Sequence, residues 1–156
     1  MKCTPMLIGL TVMATAGLAC SSKKKSDGQI TLALDGLPKL EAQVPDGTEM
    51  SRNAVGLGVM LKGPEVSMTI GKQTEGDADS LEEAKDIAQS YSPEDMKHET
   101  LPDGFILTYT NQGNMGTNYW LVGRRVIDEI AYSCGVKSTK KAHQQSAIAI
   151  CKSLKK

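Results

Sequence analysis

The sequence predicts an α+β domain: an antiparallel sheet of about six to eight strands with two helices packed against it. Three observations carry this. Residues 29–70 alternate apolar and polar side chains in short runs broken by turn residues. Residues 96–134 do so again with short connections. Two stretches, residues 80–90 and 139–154, switch to helical spacing.

In the first set, Ile30, Leu32 and Leu34 alternate with Thr31 and Ala33 until Asp35-Gly36. Leu40, Ala42 and Val44 form a second strand that ends at the strong turn Pro45-Asp46-Gly47. Residues 50–53 read equally as strand or loop. Val55, Leu57, Val59 and Leu61 line one face of a third strand, with Gly56 and Gly58 on the other, where something packs closely. Lys62-Gly63-Pro64 turns the chain into a fourth strand bearing Val66, Met68 and Ile70.

A polar loop over residues 71–79 precedes Ser80-Leu81-Glu82-Glu83, which has the form of a capping box. Leu81, Ala84, Ala88 and Tyr91 continue at helical spacing, with Ile87 beside them, until Ser92-Pro93 stops the helix. The second set of strands covers residues 96–100, 105–111, 118–122 and 126–134. Its expected turns are Leu101-Pro102-Asp103-Gly104, a flexible loop over residues 112–117, and a tight turn at Gly123-Arg124-Arg125. The last helix is expected to start from Ser138 or Thr139 as N-cap. Its stripe of Ala147, Ile150, Cys151 and Leu154 aims Cys151 at the sheet.

Residues 6–20, MLIGLTVMATAGLAC, precede this domain. They are uncharged and then give way to Ser21-Ser22-Lys23-Lys24-Lys25. The run has secretory length and is too short to cross ~30 Å of hydrocarbon as a helix. Ala16-Gly17-Leu18-Ala19-Cys20 resembles a bacterial lipobox, with Gly17 where that family usually carries an aliphatic residue. The resemblance implies a signal peptide over residues 1–19 and lipidation of Cys20, with Ser21 compatible with the outer membrane. Residues 20–28 then form a polar lipid-anchored tether and residues 29–156 a single α+β domain. Ordinary cleavage and free secretion is the alternative.

The whole chain carries 18 Lys+Arg and 18 Asp+Glu, and removal of residues 1–19 takes away only Lys2. A near-neutral domain without a basic, aromatic-interleaved stripe argues against nucleic acid as a partner. Cys134 and Cys151 are an even pair in an exported chain and read as a disulfide, the alternative being two buried free thiols.

No catalytic constellation is read from the sequence. His98, Glu99 and Asp103 fit no known ligand spacing. Gly-x-Ser-x-Gly is absent, and Gly56-Leu57-Gly58 lies within a strand and makes no phosphate loop. Met50, Met60, Met68 and Met115 read as gap-fillers, so neither metal nor cofactor is expected. Tyr119 and Trp120 are adjacent and so face opposite sides, one packing and the other exposed beside the 112–117 loop; Trp120, Tyr119 and Asn114 are the candidate partner surface.

The element order over roughly residues 29–154 resembles the PsbP-like family of exported α/β/α domains, which implies a sheet sandwiched by helices and an accessory or assembly role. The expectation is a non-catalytic binding or accessory module, anchored to the cell envelope through an N-terminal lipid. It faces the periplasm or cell surface and meets an envelope protein partner. A small periplasmic or secreted hydrolase or metal-binding protein is the alternative.

Overall fold

The structure is a computed structural model that describes residues 28–53 and 58–156. The expected signal peptide, Cys20, all but the last residue of the tether, and Val55, Gly56 and Leu57 lie outside the described residues.

Strands β1 (Gly28–Leu32) and β2 (Leu40–Val44) pair as an antiparallel hairpin. The other seven form one antiparallel sheet: β3 (Glu49–Arg52), β4 (Gly58–Gly63), β5 (Val66–Lys72), β6 (Glu94–Leu101), β7 (Gly104–Gly113), β8 (Gly116–Ile127) and β9 (Ile130–Ser138). Their spatial order is β3-β4-β5-β9-β8-β7-β6. The predicted α+β class is therefore what forms, with helices α1 (Leu81–Gln89) and α2 (Lys141–Ser153) on the sheet. The undecided residues 50–53 supply most of edge strand β3.

The helices lie on opposite faces. Successive strand residues point to opposite sides, and β7 shows the split. Phe105, Leu107 and Tyr109 pack with Ala84 and Ala88 of α1, whereas Ile106 packs with Ala147, Ile150 and Cys151 of α2. The α2 side is the larger core. It gathers Val59 and Leu61 of β4, Val66, Met68 and Ile70 of β5, and Tyr132, Cys134 and Val136 of β9. The β1–β2 hairpin closes it with Leu32, Leu40, Ala42 and Val44. A backbone bridge between Glu41 and Lys155 ties that hairpin to the end of the chain (2.7 and 3.2 Å).

Helix α1 starts as its sequence requires. The Ser80 hydroxyl accepts from the Glu83 amide (3.2 Å), and the Glu83 carboxylate accepts from the Asp79 amide (2.8 Å). The helix carries the chain from β5, mid-sheet, across to edge strand β6. Helix α2 has no side-chain cap of the expected kind. Its N-cap is Lys140, because β9 stays paired through Ser138. The Ser138 hydroxyl instead accepts from the Lys140 amide (3.1 Å) and sits 2.9 Å from Nδ1 of buried His143.

Two expected connections are corrected. Gly123-Arg124-Arg125 is not a turn, since β8 runs unbroken from Gly116 to Ile127. The chain reverses at Asp128 and Glu129, whose φ angles are both positive (50° and 65°), as a two-residue hairpin turn demands. Gly123 has a different physical reason. A Cβ there would lie 3.1 Å from Cys151 Sγ and 3.3 Å from Cys134 Cβ, so glycine makes room for the disulfide beneath α2. The 112–117 stretch is also mostly strand. Gln112 pairs with Thr117 and Gly113 with Gly116, leaving only Asn114 and Met115 at the tip.

Candidate functional site

The expected disulfide forms between Cys134 and Cys151, with Cα atoms 6.2 Å apart, and fixes α2 to β9. The three residues of the candidate partner surface fall in different places. Trp120 faces the α1 side of the sheet. Tyr119 faces the α2 side, in a cavity of about 300 Å³ with Gln144 and Lys141. Asn114 sits exposed at the β7–β8 tip. His98, Glu99 and Asp103 are also dispersed: Glu99 pairs with Lys152 (2.6 Å), Asp103 with Arg125 (2.7 Å), and His98 is exposed on the other face of β6. Among the described residues, no group of three His, Cys, Asp or Glu converges on a metal position.

The site that emerges is built on β8. Trp120, Val122 and Arg124 alternate with Leu121, Gly123 and Arg125, so the first three share the α1 face. Helix α1 packs chiefly on the β7 side of that face, with Trp120 and Val122 at the border of its cluster. Toward β9, β5 and β4 the face carries half-buried Ser133, Gly135, Thr69 and Met60.

At one end of the row, Trp120 is held on several sides. Tyr109 stacks on it at 5.6 Å and 12°, Tyr91 lies at 5.1 Å and 37°, and the Lys137 ammonium sits 4.8 Å over the ring. Its indole Nε1 donates to Asn111 Oδ1 (3.0 Å), and Asn111 Nδ2 donates to the Tyr91 carbonyl (2.9 Å). Burial, and secondarily the neighbouring Tyr91, push the Tyr109 phenol up to about 12.

At the other end stands Arg124. Its Nε donates to Gln73 Oε1 (2.8 Å). Gln73 is itself fixed, because its Nε2 donates to the Ala78 carbonyl (3.1 Å) and to Asp79 Oδ1 (2.7 Å). Among the described residues Arg124 makes no ion pair and no further hydrogen bond, so both Nη groups remain available. A cavity of about 170 Å³ opens beside it, lined by Thr69, Ser133, Gly135, Phe105, Val122 and Asp77, among others. Ser133 is the cross-strand partner of Arg124, and its hydroxyl has no hydrogen-bond partner among the described residues. Asp77 is turned to its own loop, its Oδ2 accepting from the amide and hydroxyl of Thr74 (2.8 and 3.1 Å).

No family model matches the chain, and no curated protein matches it. A second trough of about 390 Å³ shares Thr69, Leu121, Val122 and Gly135 with the Arg124 cavity and adds Met60, Trp120 and Lys137. The α1 face of β8, β9 and β5 thus brings together a cation whose Nη groups have no partner among the described residues, the hydroxyls of Ser133 and Thr69, and an apolar-to-aromatic track.

Arg125, one residue on, differs completely. It is buried on the α2 face. Nε donates to both Asp103 carboxylate oxygens (2.9 and 3.0 Å) and Nη2 to Oδ2 (2.7 Å). Nη1 donates to the carbonyls of Cys151 and Lys152, and Nη2 also to that of Leu154. It caps the C-terminus of α2, where a cation also meets the negative end of the helix dipole. Reading residues 123–125 as a turn hid both arginines. The continuous alternation from Trp120 to Arg125 was the signal that could have revealed them.

Proposed function

We propose that this is a lipid-anchored bacterial cell-envelope protein whose domain is a non-catalytic binding or accessory module. The observation that carries the reading is the Cys134–Cys151 disulfide. Structural disulfides persist in oxidising compartments outside the cytosol, which agrees with an export segment over residues 6–20 and a lipid-bearing Cys20. Two or three acyl chains, each methylene contributing ~0.8 kcal/mol, hold a protein firmly on a membrane. The outer membrane is the proposed location, with the domain facing the periplasm or cell surface.

The binding role draws support from the β8 row, where a fixed arginine with free donors opens onto a cavity. The helix–sheet–helix layering also suits the accessory role that the PsbP-like resemblance implies. The test is processing. Expressed with its own N-terminus in an exporting bacterial host, the protein partitions into detergent, and mass spectrometry finds a diacylated Cys20 as first residue. Cys20→Ala releases it to the soluble fraction. A mature terminus elsewhere, or an unmodified sulfur at Cys20, overturns the anchor.

A further inference from the structure

We propose that the α1-side trough of the sheet binds a small organic acid, with its carboxylate on Arg124 and its apolar tail along Val122 toward Trp120 and Met60. This deepens the binding-module reading and rests on it.

The head of the site is defined by what Arg124 has and lacks. Its Nε is committed to a neutral acceptor on Gln73, and Gln73 cannot turn away without losing its bonds to Ala78 and Asp79. The end-on Nη1/Nη2 fork is therefore oriented and, among the described residues, unmatched. A carboxylate fits that fork with two parallel charge-assisted bonds. The Ser133 hydroxyl, across the strand pair, offers a third donor. Thr69 Oγ1 is only weakly engaged, at 3.4 Å from the Gly135 carbonyl.

The floor is low for a physical reason. Gly135 lies mid-strand in β9, where glycine weakens a sheet and marks close approach of another group. A Cβ there would sit 3.0 Å from Thr69 Oγ1. Above this floor the smaller cavity and the larger trough share Thr69, Leu121, Val122 and Gly135 as lining. From Arg124 to Trp120 the row spans four residue steps, ~14 Å at the usual rise of ~3.4 Å per residue. That is room for a medium-chain or aryl acid and too little for a long lipid.

The single tryptophan of the chain is Trp120, so its fluorescence reports the tail end of the site directly. The full chain is titrated with sodium octanoate below its micelle concentration, following Trp120 emission and heat, with octanol and acetate as separate arms. Octanoate gives a saturable change in both signals. Acetate competes weakly without moving the emission, and octanol binds roughly tenfold or more weaker, the scale of a lost charge-assisted pair. Arg124→Met weakens octanoate by a similar factor, with unchanged circular dichroism.

Should Arg124→Met fail to fold, Arg124→Lys keeps the charge while removing the fork, and is expected to lose most of the affinity. Linear, non-saturating signals, equal octanol and octanoate affinities, or indifference to both variants overturn the proposal. Those results leave the Cys20 anchor untouched, and an unmodified Cys20 leaves the octanoate site untouched, so the two readings fail separately.

Discussion

Arg124 and Arg125 are neighbours in sequence and opposites in structure. One strand alternation puts Arg125 under α2, where the Asp103 carboxylate and three main-chain carbonyls use its donors. The same alternation puts Arg124 on the side that α1 covers only in part, where its one side-chain hydrogen bond among the described residues goes to Gln73. The faces around them differ alike. The α2 face is sealed by large apolar side chains, the disulfide and the β1–β2 hairpin. The α1 face has an aromatic cluster at one end and small, half-buried residues beyond it. Where every donor has a fixed partner, a side chain serves the fold. Where a held side chain keeps donors free beside a cavity, it is available to a ligand.

The sharpest way to break this contrast is to remove each arginine. Arg125→Met leaves Asp103 and the end of α2 without their partner, and should cost roughly 3 kcal/mol in urea denaturation. Arg124→Met should stay within about 0.5 kcal/mol of the parent. Next comes the staple on the sealed face. Cys134 and Cys151 stand 17 residues apart, and the paired Cys→Ala variant should lose about 3 kcal/mol in the same assay.

Burial raises the phenol of Tyr132 on the α2 face, and on the α1 face it also raises that of Tyr109. Its phenol holds its proton to about 12 in the fold and to about 10 in the unfolded chain. Between those values the unfolded chain binds fewer protons, so stability falls as pH rises through that window. Tyr109 should account for a loss on the order of 2 kcal/mol, which Tyr109→Phe removes while the part due to Tyr132 stays. The smallest effect is at the start of α1. Ser80→Ala removes the acceptor for the Glu83 amide and should cost about 1 kcal/mol.

Much of the fold was legible because one pattern dominated each element. Val66, Met68 and Ile70 could serve only one face of a strand, and Ser80 with Glu83 marked the helix start. Cys134 and Cys151 were legible for the same reason, each lying on an apolar stripe that faces the other. What was not legible depended on three-dimensional neighbours. Gly123 looks like a turn residue until the disulfide above it is known, and Asp128-Glu129 carries no glycine or asparagine to advertise a reversal. The candidate site suffered most. Adjacency alone sets Tyr119 and Trp120 on opposite sides, but reading residues 123–125 as a turn hides Trp120's companions on its face, Val122 and Arg124. No local spacing announces Gln73, 51 positions away, as the residue that orients Arg124.

Among the described residues, one guanidinium is fully engaged and its neighbour keeps both Nη groups unpaired. Nitrogen-15 NMR of the arginine side chains reads this directly in the unliganded protein. Arg125 should show separate, slowly exchanging Nη resonances, because its Nη groups are bonded to fixed carbonyls and a carboxylate. Arg124 should show a protected Nε–H with averaged, fast-exchanging Nη signals. Two alike spectra, or the reverse assignment, would contradict the division of the sheet into a sealed face and a binding face.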